Sequence, residues 1–217
     1  MADEAQTPRK PLPASLPLFP LPGVLLLPRG MLPLNIFEPR YINMFDDALG
    51  GARLIGMIQP CEATPRGANP PLYKTGCAGR ITRFAEDGPR YLITLVGVCR
   101  FDVAEEAVTA RGYRQAVPDW TPYAADLVAT PESGIDRPRL LAGLKPFLRA
   151  RGLSIDWSAL DGASDEQLVT TMAMVCPFDA AEKQNLLQAP GLLERARLLT
   201  GLAEIALLDQ PGSIARH

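Results

Sequence analysis

Residues 16–28 read Leu-Pro-Leu-Phe-Pro-Leu-Pro-Gly-Val-Leu-Leu-Leu-Pro, and residues 32–41 read Leu-Pro-Leu-Asn-Ile-Phe-Glu-Pro-Arg-Tyr. Prolines at 17, 20, 22, 28 and 33, together with Arg29, interrupt this apolar run every few residues. A helix that spans a bilayer needs about 20 predominantly apolar residues in a row without such breaks, so the stretch is not one. It reads as extended chain instead, Leu16–Leu21 and Val24–Phe37, with turns at Pro22-Gly23 and at Pro28–Gly30. Pro39 suits the first turn of a helix, where its missing N–H has no partner to lose. That helix runs to about Leu49, with Tyr41, Ile42, Phe45 and Leu49 as its buried stripe, and Gly50-Gly51 end it.

Further along, Arg53–Gln59 (RLIGMIQ) predicts a short buried strand, and Pro60–Pro71, with four prolines, a loop long enough to act as a flap. Arg80–Ala85 and Arg90–Val103 flank Glu86-Asp87-Gly88-Pro89, a hairpin whose glycine can accept positive φ. Within the second arm, Tyr91, Ile93, Leu95, Cys99 and Phe101 share one face while Leu92, Val96 and Val98 share the other, which predicts burial on both sides. Gly97 predicts a bulge or a close backbone approach. Tyr113–Val117 is one more strand. Six or so short strands with one inserted helix predict a small, closed or nearly closed barrel-like sheet.

The texture changes near residue 130, where long Leu-, Ala-, Glu- and Arg-rich stretches with helical spacing begin. Residues 135–151 place Leu140, Leu141, Leu144, Phe147 and Leu148 on one side, with Pro146 as a kink. Ser164–Gln167 and Asp179–Glu182 are capping boxes, and Cys176-Pro177 and Pro190 are breaks between helices. The last helix runs to Leu208 with Leu192, Leu198, Leu199, Leu202, Ile205 and Leu208 as core positions. The expected organisation is an arm without fixed structure (1–14), a β-barrel unit (15–128), a helical bundle (129–210) and a tail (211–217).

Composition narrows the chemistry. The 217 residues carry 22 basic and 24 acidic side chains, so a nucleic-acid partner, which favours a clearly basic surface, is disfavoured. The single histidine is His217, which makes a Ser-His-Asp triad or a His-based metal site improbable. Cys61, Cys77, Cys99 and Cys176 form no C-x-x-C pair and read as free thiols in a reducing, cytoplasmic setting. Residues 1–15 lack the apolar core of a signal peptide. No P-loop, dinucleotide fingerprint or nucleophile elbow is present. Lys183 and Ser164, the nearest approach to a serine–lysine dyad, have simpler roles as an exposed helix residue and a helix cap. Neither catalytic residues, a metal site nor a cofactor is therefore expected.

The two opening stretches resemble the start of the Lon protease amino-terminal, substrate-binding domain, specifically the small stand-alone bacterial proteins made of that domain. Gly56–Pro60 (GMIQP), Gly76–Ile81 (GCAGRI), Arg90–Phe101 (RYLITLVGVCRF) and Tyr113-Arg114 look like the same family. Glu182–Leu187 (EKQNLL) and Arg195-Ala196 do too, and the matches run in order from about residue 16 to 208. The resemblance implies an α+β fold: a PUA-like small β-barrel with an inserted helix, followed by a C-terminal helical bundle. It also implies recognition of unfolded or exposed polypeptide segments, as adaptor or holdase, with a separate protease or chaperone as a further partner. The ATPase and protease regions of the full-length enzyme have no counterpart in these residues, so a binding module rather than an enzyme is expected. RNA binding is the alternative, because PUA-like barrels also occur in RNA-modifying proteins.

A peptide site should offer an apolar groove with a few fixed polar groups, or a free sheet edge. Asn35, Phe37, Glu38, Arg40 and Tyr41, where a strand hands over to a helix, are the first candidates, with Arg80 and Arg100 at strand ends as the second. The simpler alternatives are core positions for Phe37 and Tyr41 and a structural ion pair for Glu38 and Arg40.

Overall fold

A computed structural model of the protein describes residues 11–61, 69–128, 134–160 and 162–208. Its strands are β1 (Leu16–Pro20), β2 (Met31–Ile36), β3 (Leu54–Ile58), β4 (Thr75–Asp87), β5 (Arg90–Val108) and β6 (Arg114–Asp119). The helices are α1 (Pro39–Gly50), α2 (Arg137–Ala150), α3 (Asp165–Val175), α4 (Ala180–Gln188) and α5 (Leu192–Leu208). Helix α1 sits between β2 and β3, and a 3-10 turn over Thr121–Leu127 follows β6. The fold is mixed α+β, with one six-stranded sheet. Among the described residues, no helix is long and apolar enough to cross a membrane.

The sheet order is β2-β5-β4-β3-β1-β6, and β6 also pairs with β5. The length of β5 makes this possible. Its first part, Tyr91–Val96, lies between β2 and β4, and its last part, Asp102–Val108, pairs with β6. Five strands therefore form a closed hydrogen-bonded circuit, with β2 added outside it as an edge. Each strand of the circuit sends at least one side chain into a shared apolar cluster: Leu16 and Leu18, Leu54 and Ile58, Ala78, Phe101 and Ala116. The alternate residues Phe19, Ile55, Met57 and Cys77 point the other way, into a second and larger core. That is why β3 reads as an unbroken apolar run: all five of its residues are buried.

At the β4–β5 hairpin, Asp87 pairs with Arg90 across Gly88-Pro89, and Gly88 takes φ +58. A positive φ at the first central residue is the twist a tight hairpin needs. Gly97 sits beside a register shift at Ala78/Gly79, and a Cβ there would lie 1.9 Å from the Leu27 carbonyl oxygen. Both features expected of that glycine are present. The segment before β2 lies across it: Arg29 N–H donates to Gly97 O (2.8 Å) and Gly97 N–H donates to Gly30 O (2.8 Å). Val24–Phe37 is consequently not one strand. Leu25, Leu26 and Leu27 are buried as irregular chain, Arg29 adopts φ +64, and regular pairing begins only at Met31.

The larger core joins the sheet to the helices, with Phe45 and Met44 of α1, Leu144 and Phe147 of α2, Leu168 and Met172 of α3, Leu186 of α4 and Leu199 of α5 in one cluster. Helix α5 packs against α2, α3 and α4. Both capping boxes form: Ser164 Oγ accepts from Gln167 N–H, and Asp179 Oδ1 accepts from Glu182 N–H, each reciprocated by the third helical side chain. Buried polar side chains tie the layers together. Gln59 Nε2 donates to Ala180 O (3.1 Å) and Gln184 Nε2 donates to Thr75 O (3.1 Å).

Several expectations are corrected. The outward face of β5 is only partly buried: Leu92 is 47% exposed, and Val96 and Val98 are half-buried. The buried stripe of α1 is Tyr41, Met44, Phe45 and Ala48, one position round from the expected face. In α5 the buried positions are Leu192, Arg195, Ala196, Leu199, Thr200 and Ala203, while Ile205 and Leu208 are 58% and 73% exposed. Lys183 is buried, not exposed. Its ammonium donates to Gly23 O (2.9 Å) and Met174 O (3.4 Å), and burial lowers its pKa. Cys77, Cys99 and Cys176 are buried free thiols and Cys61 is an exposed one. Of the expected arm, Leu12 packs on the circuit's inner cluster and Pro13 O accepts from the Trp120 indole (3.1 Å). Residues 1–10, the middle of the 60–71 loop and the 211–217 tail lie outside the described residues.

Candidate functional site

The end of β1, the start of α1, the exit of β3 and the start of β6 meet around a cavity of about 180 Å³. Pro20, Leu21, Pro22, Pro60 and Pro70 supply much of its lining, which gives it rigid apolar surface. Glu38, Arg40 and Tyr41 contribute from α1, and Tyr113 and Arg114 from β6 and the residue before it.

The placement of the α1 residues follows from Pro39. With proline in the first helical turn, Glu38 becomes the N-cap, in extended conformation (φ −73°, ψ 135°), and its side chain makes no capping bond. The carboxylate is used elsewhere: Arg40 Nε donates to Glu38 Oε2 at 3.0 Å. The Arg40 guanidinium also lies 4.6 Å from the centre of the Tyr41 ring, a cation–π contact. On the core side, Tyr41 packs on Phe19 with ring centres 4.5 Å apart. Burial raises the Tyr41 pKa, so the phenol is neutral at physiological pH.

Arg114 is buried and held at both ends: Nη1 donates to Pro70 O (2.6 Å), and Nη2 forms an ion pair with Glu106. Tyr113 donates to Asp47 Oδ2 (2.8 Å), and burial, followed by that hydrogen bond, pushes its pKa up to about 12. The cavity thus combines proline and aromatic walls with fixed charges of both signs. Such a surface can hold an apolar segment and orient its polar groups. Among the described residues, no His, Cys, Asp or Glu side chains are grouped as metal ligands would be.

The structure brings Glu38, Arg40 and Tyr41 together at this cavity. Asn35 and Phe37 lie beside it in sequence, Asn35 on the outward side of edge strand β2, opposite Leu92, and Phe37 just past its end. Phe37 is 60% exposed, so the core alternative holds for Tyr41 and not for Phe37. Arg80, on β4, reaches Ala52 O at 3.4 Å. Arg100 is buried in an ion pair with Asp126 and lines a different cavity. Sequence reasoning missed Pro60, Pro70, Tyr113 and Arg114 as lining residues. Tyr113-Arg114 stood out as a strand start and as one of the family motifs, but nothing local places it against a helix some 70 residues earlier.

The model of the ATP-dependent protease La (Lon) substrate-binding domain matches residues 15–204, nearly the whole described chain. This chain belongs to the Lon substrate-binding domain family. Lon protease 2 of Sorangium cellulosum is 26% identical to it over 207 residues, covering 91% of this chain and 25% of that protease. Lon protease 2 of Myxococcus xanthus is 28% identical over 204 residues, covering 89% and 24%. The chain therefore spans about a quarter of the length of each of these two Lon proteases. In fold it is similar to a Lon N-terminal domain protein from Xanthomonas campestris (TM-score 0.58, 23% identity, 86% of this chain and 97% of that one). The N-terminal domain of Mycobacterium avium complex Lon protease gives a TM-score of 0.56 at 16% identity, with 87% and 97% coverage. The Lon substrate-binding domain is thus the part of the protease to which both the sequence and the six-stranded α+β fold correspond.

Proposed function

We propose that this Lon-type domain is a non-enzymatic polypeptide-binding module, engaging unfolded or exposed protein segments as adaptor or holdase. The observation that carries the reading is the proline-walled cavity at Glu38, Arg40 and Tyr41, with Asn35 on the adjoining edge strand and Phe37 just past its end. A cavity with fixed charges and a free strand edge are two established ways of capturing extended chain. In this reading, the closed five-strand circuit is the PUA-like barrel (15–128), the helices after residue 129 are a bundle that buttresses it, and the site faces a cytoplasmic client. Arg80 and Arg100 have no part in the cavity: Arg80 serves the β3–β4 pair and Arg100 is committed to the sheet–helix junction.

Fluorescence anisotropy of a labelled, permanently unfolded protein titrated with this chain tests the reading. Micromolar binding that ATP does not alter supports it. Flat curves with the unfolded protein, alongside salt-sensitive binding of a structured RNA, would replace it with an RNA-binding function.

A further inference from the structure

A second cavity, of about 330 Å³, lies where the Pro28-Arg29 turn and the 3-10 turn meet the first turns of α3 and α5. Its charged lining is three guanidiniums, from Arg29, Arg100 and Arg195, and two carboxylates, from Asp126 and Glu166. Two of the arginines are matched: Arg100 pairs with Asp126 and Arg29 with Glu166. Arg195 is not. It is only 6% exposed, and no carboxylate among the described residues forms an ion pair with it. Its Nε donates to Leu186 O (2.9 Å) and its Nη2 makes a long contact with Ala189 O (3.5 Å). Nη1 bonds to no described protein acceptor, yet it is not sealed away from accessible space.

A guanidinium buried without a counter-charge is costly, and burial followed by the like charge of Arg100 pulls the Arg195 pKa down to about 10. It is nevertheless charged at neutral pH, so the described lining residues carry one positive charge in excess. Pro190, Gly191 and Leu192 bring the N-terminal end of the 17-residue α5 to the same cavity, adding its partial positive charge.

We propose that this cavity is a carboxylate-binding site, in which Arg195 Nη1 and the start of α5 take one singly charged oxyanion. A carboxylate matches the single excess charge and the planar donor fork of arginine. A phosphate group, with a charge of about −1.5 to −2 near pH 7, would leave the cavity net negative beside Asp126 and Glu166. The site is separate from the proline-walled cavity and does not rest on polypeptide binding there.

Chemical-shift titration of the full chain with N-acetylglycine tests it, with the neutral N-acetylglycinamide and inorganic phosphate in parallel. N-acetylglycine should move the Arg195 Nε–H and the Gly191 and Leu192 amide signals saturably, and the amide should not. Arg195→Gln should abolish the effect. Glu166→Gln, at the rim, should tighten binding by about threefold or more by removing a repelling charge. Because Arg195→Gln also removes bonds to buried carbonyls, Glu166→Gln decides the matter if that variant does not fold. Equal shifts with the neutral amide, tighter binding of phosphate, or unchanged affinity in Glu166→Gln would each overturn the proposal.

Discussion

Arg100 and Asp126 meet side-on: Nε donates to Oδ2 and Nη2 to Oδ1, both at 2.8 Å, and the Arg100 backbone N–H adds a third bond to Oδ2 at 3.0 Å. Both side chains are buried, and Arg100 Nη1 goes on to donate to Leu187 O (3.0 Å) and Ala189 O (2.7 Å). One guanidinium thereby joins β5, the 3-10 turn and the α4–α5 connection. Removing one partner leaves an uncompensated buried charge. Asp126→Ala should lower stability by about 3–5 kcal/mol, read from the midpoint of urea unfolding at unchanged slope. A loss below about 1 kcal/mol would mean that the pair is solvated.

Gly97 and Gly201 should respond oppositely to alanine. A Cβ at Gly97 would strike the carbonyl of Leu27, in a segment that two backbone hydrogen bonds, from Arg29 and to Gly30, fasten against Gly97 itself, whereas at Gly201 in α5 it meets nothing within 4 Å. Gly97→Ala should cost about 3 kcal/mol or more. Gly201→Ala should stabilise by about 0.5–1 kcal/mol, since alanine is the better helix former. Thermal unfolding of the two variants side by side is the check.

The capping boxes support α3 and α4 locally. Ser164→Ala and Asp179→Ala should each cost about 1 kcal/mol, because each leaves a first-turn N–H without its acceptor. Denaturant unfolding of the single variants measures this, and values near zero would place the support of both helices wholly in their packing.

Alkali should unfold the protein through its buried acids. Burial pushes the Cys99 and Cys176 thiols up to about 12 from an ordinary 9.0, and burial with the Asp47 hydrogen bond pushes Tyr113 up to about 12 from 10.0. Each group is held neutral in the fold while the unfolded chain ionises first. Their contribution is fully present below the unfolded pKa values and is lost as pH rises from 9 to about 12. Stability measured across that range should fall steadily. At pH 8 a thiol reagent should label Cys61 alone, and rapid reaction of Cys77, Cys99 or Cys176 in the folded protein would contradict the burial.

Phe37 and Tyr41 separate binding from folding. Phe37→Ala removes an exposed ring and should weaken binding of an unfolded client several-fold with little change in stability. Tyr41→Ala removes a ring that is 7% exposed and packed at a tilt on Phe19, and should cost about 3 kcal/mol or more. If Phe37→Ala binds like the parent protein, the client does not use the β2 edge.

What the sequence by itself determined was local. Pro39 at the start of α1, the Gly88 turn and the two capping boxes each depend on atoms within a few residues of one another, and each stands in the structure where its motif lies, whereas the bulge beside Gly97 sends Ile93 and Leu95 into one core and Phe101 into the other. The family resemblance was equally legible, because its ordered motifs run the length of the chain. Tertiary structure decided what depends on partners far along the chain. Only the long β5 reaching β6 closes the circuit, and only docking of the helices on the sheet buries Lys183 and leaves Ile205 exposed. Lys183 and Ile205 show the reason: periodicity says that a helix has an apolar face, but the neighbouring layer determines which residues lose their water. The two cavities arise in the same way. Glu38, Arg40 and Tyr41 were visible as a cluster in the sequence, whereas Arg114 and Pro70 join them, and Arg195 joins Arg29 and Arg100, only because the fold brings distant segments to within a few ångströms.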